Sequence, residues 1–139
     1  MKRVISVLLL LSLTFSFFAC TPHRSDEVSC ENIMAAYEEA GYLLGHHLHE
    51  DPVYLEEGIC CSLMFKDPKD PDKNYIYIDR HTTTNGAYLA TEEDEYNPIL
   101  WFVSVLHGEG RWLRSKQFGK LHCTTFEKKM LKPLQSIIE

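Results

Sequence analysis

The chain has 139 residues, 45% of them hydrophobic and 24% charged, with a formal net charge of −6 at pH 7. This length suits one domain that buries its own core. The net negative charge argues against nucleic acid as a partner, because nucleic-acid-binding proteins neutralise phosphates with clustered Lys and Arg.

The first twenty residues have the pattern of an export signal. Lys2 and Arg3 precede an uncharged, apolar run of 16 residues at 4–19, and a polar stretch begins after Cys20. A positive end, an apolar segment and a small residue at the boundary are the parts of a signal peptide. The run is shorter than the roughly 20 residues of a membrane-spanning helix. We therefore predict that residues 1–19 are removed on export.

Cys20 is the predicted site of lipid attachment. Residues 16–20 resemble a bacterial lipobox, in which a small residue precedes a cysteine that receives a diacylglycerol. Ala19 and Cys20 match this pattern, whereas Phe17 and Phe18 stand where it usually has Leu and a small residue. The resemblance implies a lipoprotein whose acyl chains, such as palmitate, hold it stably on a membrane.

The predicted organisation follows from this anchor. Residues 20–28 form the lipidated cysteine and a polar tether, and residues 29–139 form one domain on the outer face of the cytoplasmic membrane. The alternative is an ordinary secretory signal and a secreted protein.

Four further cysteines are candidates for disulfides, because an even number in an exported chain is typical of paired thiols. They are Cys30, Cys60, Cys61 and Cys123. Neighbouring residues on a strand point to opposite faces, so Cys60 and Cys61 are each expected to meet Cys30 or Cys123 instead of one another. The alternative is four reduced thiols buried as small hydrophobes.

The first half of the domain is predicted to contain a helix and a hairpin. Ser29 is a suitable cap for a helix that ends at Gly41, and the following residues 42–49 look extended. Asp51-Pro52 marks a break. Residues 58–65 and 75–79, separated by a long polar turn, are predicted to pair as strands. The apolar positions of the helix follow the expected spacing: Ile33, Ala36, Tyr37 and Ala40.

The second half is predicted to begin with a helix that one of Thr82, Thr83 or Thr84 caps and that runs to the acidic residues 92–95. Residues 99–106 are either a buried helix or a central strand, and periodicity does not decide between them. Residues 111–116 and 120–126 are predicted to form a hairpin, and residues 127–138 a closing helix. The predicted fold class is α+β, a single domain of helices packed on one antiparallel sheet.

Most of residues 30–135 resembles the small uncharacterised lipoproteins of Gram-positive bacteria. The resemblance implies a surface location without an established activity. It is carried by a helix end, a hairpin and aromatic turn segments: Ala40-Gly41-Tyr42, residues 75–78, 95–101 and 108–112, and Phe118-Gly119.

The histidine-rich segment 46–49 is the most distinctive local cluster. On a strand His47 and His49 share a face, and paired imidazoles bind zinc or copper when further ligands arrive from elsewhere. The alternative is a histidine-rich surface edge.

No catalytic or cofactor-binding residue is predicted. The chain lacks a Gly-x-Ser-x-Gly elbow, and His122 and Cys123 are strand neighbours whose side chains diverge. The acidic run 92–95 is interpreted as a solvated helix end. The basic segment 111–139, with seven basic and two acidic side chains, is interpreted as solvated surface, with contact to anionic headgroups as the alternative.

Aromatic residues favour a binding function. Tyr75 and Tyr77 share one face of a predicted strand, and exposed aromatic sets are typical of recognition surfaces. Trp101, Phe102 and Trp112 are further candidates. We predict a non-enzymatic module that binds a protein, peptide or envelope component. A metal-binding lipoprotein and a small inhibitor of an envelope enzyme are the alternatives.

Overall fold

The computed structural model describes residues 24–96, 102 and 113–139. The predicted signal peptide, Cys20, Trp101, Trp112 and most of residues 99–106 lie outside these ranges. The described helices are α1 (Cys30–Glu39), α2 (Pro52–Glu56), α3 (Thr84–Tyr96) and α4 (Lys132–Ile138), with 3-10 turns at Arg24–Glu27 and Lys128–Leu131. The strands are β1 (Leu43–His49), β2 (Ile59–Lys66), β3 (Tyr75–His81), β4 (Arg114–Phe118) and β5 (Leu121–Thr125).

The strands form one five-stranded sheet in the order β1-β2-β3-β5-β4, and all neighbouring strands are antiparallel. The predicted α+β class is confirmed. Within the described residues β1 and β4 are the two outer strands. No described helix is long and apolar enough to cross a bilayer.

Helix α1 begins and ends where its sequence predicts. The Ser29 Oγ accepts a hydrogen bond from the Asn32 backbone N–H at 3.2 Å, which satisfies one of the free donors of the first turn. Ile33 and Tyr37 are fully buried on one side. Gly41 follows the helix with φ +81°, a left-handed conformation that favours glycine.

Both predicted hairpins form, but the second turn lies later than expected. Phe118 pairs with Leu121, so β4 continues through the residues that were predicted as turn. Only Gly119 and Lys120 connect the strands, and Gly119 has φ +56°. A two-residue hairpin loop requires positive φ, which glycine adopts without steric cost.

The short helix α2 replaces the predicted break. The Asp51 Oδ1 accepts a hydrogen bond from the Val53 N–H at 3.0 Å. Pro52 occupies the first turn, where its missing N–H is not needed. The same two residues that interrupt the extended chain therefore start a helix.

The core lies between one sheet face and the helices α1 and α4. Side chains alternate between the faces of a strand, and on β2, β3 and β5 the apolar ones point toward these helices. The buried side chains of this face are Cys61, Leu63, Phe65, Ile76, Ile78, Leu121 and Cys123. The other face carries α3, whose Asp94 hydrogen-bonds to His122.

Tyr37 joins three elements within this core. Its ring stacks on Phe65 with centroids 4.3 Å apart, and its hydroxyl donates a hydrogen bond to the Met130 carbonyl at 2.6 Å. Burial raises the pKa of the Tyr37 hydroxyl. Helix α1, strand β2 and the C-terminal segment are therefore fixed by one side chain.

The closing helix is shorter than predicted. A 3-10 turn at Lys128–Leu131 precedes α4, and Pro133 lies in the first turn of α4. Proline has no N–H to donate, so one continuous helix through this point would lose a hydrogen bond. The predicted apolar side is nonetheless buried: Met130, Leu131, Leu134 and Ile138.

The domain begins earlier in the chain than predicted. Ser25 and Val28 are buried, and the Asp26 Oδ1 accepts a hydrogen bond from the Lys120 N–H at 3.0 Å. The Asp26 carbonyl also accepts from Arg80 Nη2 at 3.3 Å. Residues 25–28 therefore pack as part of the domain and are not available as a free tether.

One disulfide connects Cys30, at the start of α1, to Cys61 on β2. Cys60 and Cys123 are free thiols. Strands β2 and β3 pair irregularly at Cys60. The Cys60 Sγ donates a hydrogen bond to the Arg80 carbonyl at 3.1 Å. Cys123 is buried in the core, which raises the pKa of its thiol. Cys61 therefore meets Cys30, whereas Cys60 does not meet Cys123.

Gly119→Ala is expected to lower the free energy of unfolding by about 3 kcal/mol, because it combines left-handed strain with overpacking. A Cβ at this position would collide with Ser25 Oγ and Asp26 Oδ1. Gly41→Ala is the matched control, since Gly41 also has positive φ but no atom within 4 Å of its Cβ position. Urea unfolding should show that Gly41→Ala lowers the free energy of unfolding by about 1 kcal/mol. Equal losses would contradict packing of residues 25 and 26 on this turn.

Replacing both Cys30 and Cys61 by alanine is expected to cost about 3 to 4 kcal/mol, because the bridge closes a long loop and restricts the unfolded chain. The two cysteines are 31 positions apart. Urea unfolding of this variant is compared with Cys60→Ala, which removes only a free thiol. A reducing agent should destabilise the wild type and leave the double variant unchanged. Destabilisation of the double variant by the reductant would argue for another disulfide.

Candidate functional site

A polar network fastens α3 to the sheet face opposite the core. Three side chains converge on Asp94 Oδ2: His122 Nε2 at 2.9 Å, Thr124 Oγ1 at 2.9 Å and Ser115 Oγ at 3.2 Å. Burial acts to raise the pKa of Asp94, but the hydrogen bonds from His122, Thr124 and Ser115 outweigh it and lower the pKa. Asp94 is therefore ionised, and its carboxylate connects α3 to strands β4 and β5.

His122 lies between two carboxylates. Its Nδ1 is 4.0 Å from Asp79 Oδ2, and Asp79 Oδ1 accepts a hydrogen bond from Ser62 at 2.6 Å. On the other side, Nε2 is 2.9 Å from both Asp94 Oδ2 and Ser115 Oγ. Ser115 at Nε2 and Asp79 at Nδ1 of His122 thus lie in the spatial order of the Ser-His-Asp triad of serine hydrolases.

This arrangement does not activate Ser115 as a nucleophile. A carboxylate only accepts hydrogen bonds, so His122 Nε2 carries the proton it shares with Asp94 and has no lone pair for the Ser115 proton. Ser115 instead donates to Asp94. A fixed carboxylate at this distance would also repel the oxyanion of acyl transfer. The network is best explained as the attachment of α3.

His81 is the least satisfied polar side chain near this network. It is 4% exposed, and neither ring nitrogen has a hydrogen-bond partner among the described residues. A Cβ at Gly86 of α3 would lie 3.3 Å from His81 Nδ1, so the helix backbone lies directly on the imidazole. Burial lowers the pKa of His81, the nearby His122 lowers it further, and Asp79 opposes the shift.

Strand β1 places His47 and His49 on one face, as predicted, with ring centroids 6.3 Å apart. Both are exposed. A backbone hydrogen bond and the Ser29 side chain lower the pKa of Glu31, and His49 and His47 contribute smaller attractions. Within the described residues no three His, Cys, Asp or Glu side chains are close enough to hold a metal ion. His47 and His49 alone would supply two ligands, and a metal site here stays a prediction.

An open groove runs beside the outer strand β1. Its volume is about 420 Å³, and Leu43 and Leu44 at its rim are 54% and 50% exposed. As strand neighbours the two leucines point to opposite faces, and Leu44, which pairs with the core residue Phe65, lies on the face that α1 covers. Among the described residues the adjacent strand edge has no partner strand. The groove is lined by Met34, Glu38, Tyr42, Leu43, Leu44 and Phe65.

The predicted aromatic face of β3 is present. The ring of Tyr75 makes edge contacts with Tyr77 at 5.7 Å and with Phe126 at 5.8 Å. Tyr77 is exposed, whereas Tyr75 is half-buried, and burial raises the pKa of Tyr75. Phe102 is also exposed. The tyrosines form a small aromatic surface on the α3 side of the sheet.

Sequence reasoning missed the Asp94 network and the β1 groove. In the sequence Asp94 belongs to an acidic run typical of solvated helix ends, and His122 stands beside Cys123, whose side chain points to the other face of the strand. The alternation of β5 was the available signal, since it places His122 and Thr124 together on the face away from the core.

Stability is expected to decrease as the pH falls below about 6.5, because the unfolded chain takes up a proton on His81 near the ordinary pKa. The folded chain binds that proton only at lower pH, since burial lowers the pKa of His81. The stabilisation is therefore complete above pH 6.5 and is lost as the pH falls toward the folded-state pKa. Thermal melts of His81→Leu between about pH 7.5 and 5 should show a flatter profile.

The exposed His47→Leu controls for the loss of one imidazole elsewhere on the sheet. If wild type and His81→Leu lose stability in parallel over this range, the buried imidazole is not responsible for the pH dependence.

Comparisons with protein-family models, with curated proteins and with solved structures found no match for this chain. No relative therefore assigns a role to the groove, the histidines or the polar network. The function has to be inferred from the chemistry of these surfaces.

Proposed function

We propose that this protein is an exported, lipid-anchored, non-enzymatic module that binds an extended segment of another protein along β1. The anchor is Cys20, on the strength of the lipobox-like residues 16–20 and the preceding apolar run. The observation that carries the binding role is an outer strand with two exposed leucines beside an apolar groove.

An outer strand offers a partner its backbone as well as its side chains. Among the described residues strand β1 pairs only with β2, so its other side has no partner strand there. An extended peptide that adds to such an edge gains main-chain hydrogen bonds, and pockets for alternate side chains provide specificity.

The groove selects the side chains of the partner. Met34, Tyr42 and Leu44 provide apolar contact, while Glu38 adds one carboxylate at the wall. Glu39, the last residue of α1, and Glu50, directly after β1, are both exposed. We therefore infer a partner segment that combines apolar and basic side chains. A second copy of this acidic edge would be repelled.

Binding by wild-type protein is expected for a short capped peptide that alternates valine with lysine, and not for the matched peptide that alternates valine with glutamate. The lysine peptide has β propensity for strand addition and charge complementary to Glu38. Amide chemical-shift mapping by NMR should place its contacts on Leu43–His49. Leu44→Asp should weaken binding about tenfold or more, because it puts a charge at the apolar rim.

Val53→Asp is the matched control, since Val53 is 65% exposed on α2 and does not line the groove. It should bind the lysine peptide as the wild type does. Equal affinity for both peptides, or shifts centred away from β1, would overturn the proposed binding edge.

A further inference from the structure

The lipid anchor and the folded domain are separated by very little chain. Only Thr21, Pro22 and His23 lie between Cys20 and the 3-10 turn Arg24–Glu27. Even when fully extended, this connection spans about 14 Å. A domain on so short a connection stays in contact with, or within one diameter of, the headgroup layer.

The packing of residues 25 and 26 decides which part of the domain lies nearest the anchor. Ser25 is buried against Gly119, and Asp26 accepts a hydrogen bond from the Lys120 N–H at 3.0 Å. The chain therefore enters the fold at the turn between β4 and β5. Strand β4, the outer strand opposite β1, ends at this turn.

The charges along β4 suit an anionic surface. Strand β4 reads Arg-Ser-Lys-Gln-Phe, without an acidic residue, and Arg114 and Lys116 are exposed. The Lys116 Nζ lies over the Phe118 ring, 4.9 Å from its centroid. Lys120 adds a third basic residue at the turn. Basic residues beside a membrane anchor are attracted to anionic headgroups within about one Debye length.

The opposite edge has the opposite character. Strand β1 is flanked by the exposed carboxylates Glu38, Glu39 and Glu50. Four strand spacings separate β1 from β4, about 19 Å across the sheet. An anionic membrane would attract one edge and repel the other, which gives the domain a preferred orientation.

We propose that the β4 edge docks on an anionic lipid surface through Arg114, Lys116 and Lys120, so that β1 faces away from the membrane. This inference rests on the proposed lipid anchor at Cys20. It also explains how a domain on a short tether keeps its binding edge accessible to a partner outside the membrane.

The test uses the full chain, processed by the producing bacterium and reconstituted into vesicles of phosphatidylcholine with or without phosphatidylglycerol. Mass spectrometry of the N-terminal peptide first establishes whether Cys20 is acylated. Hydrogen exchange then compares backbone amides of β4 with those of β1. We expect slower exchange at Arg114–Phe118 by about fivefold or more with phosphatidylglycerol, no change at β1, and loss of the effect at high salt.

The charge-reversed variant Arg114→Glu, Lys116→Glu should lose this protection. The matched control Lys128→Glu, Lys132→Glu reverses two exposed lysines of the C-terminal segment and should keep it. An acylated protein whose β4 exchanges equally in both vesicles would overturn the docking and leave the proposed function standing. An unmodified Cys20 would overturn the anchor and the docking together, while peptide binding by β1 remains a separate measurement.

Discussion

Tyr37 is the side chain on which the arrangement of the layers depends. Its ring stacks on Phe65 of β2, and its hydroxyl donates to the Met130 carbonyl just before α4. A buried hydroxyl without a partner costs about 1 to 3 kcal/mol, so the hydrogen bond fixes the C-terminal segment relative to α1. The Cys30–Cys61 disulfide ties the other end of α1 to β2. With both ends held, one face of the sheet is covered.

The opposite face of the sheet is held to α3 mainly through polar side chains. Strand β5 illustrates this, because Cys123 is buried in the core while its neighbour His122 binds Asp94 of α3. On helix α3 Ala87 is buried, whereas the larger apolar side chains of Tyr88 and Leu89 are exposed. The described contacts of α3 with the sheet include the hydrogen bonds of Asp94 and the packing of Gly86 on the buried His81.

The two edges of the sheet have different tasks in the proposed function. The N-terminal segment enters beside β4, where basic side chains are exposed, and β1 lies at the far side with its leucines and its groove. A five-stranded sheet is wide enough to keep a membrane and a protein partner apart. The charge asymmetry of the sequence thereby becomes an asymmetry between two edges.

The sequence by itself determined the elements whose signals are local. Helix α1 follows from the Ser29 cap and the apolar spacing, and the β2–β3 hairpin follows from two β-favouring runs around a polar turn. Tertiary structure alone decided the partner of Cys61, the packing of Ser25 on Gly119, and the meeting of Asp94 with His122. Each of these contacts joins residues that are distant in the chain, and their proximity depends on strand order and on which face each helix covers. Local patterns do not encode that choice.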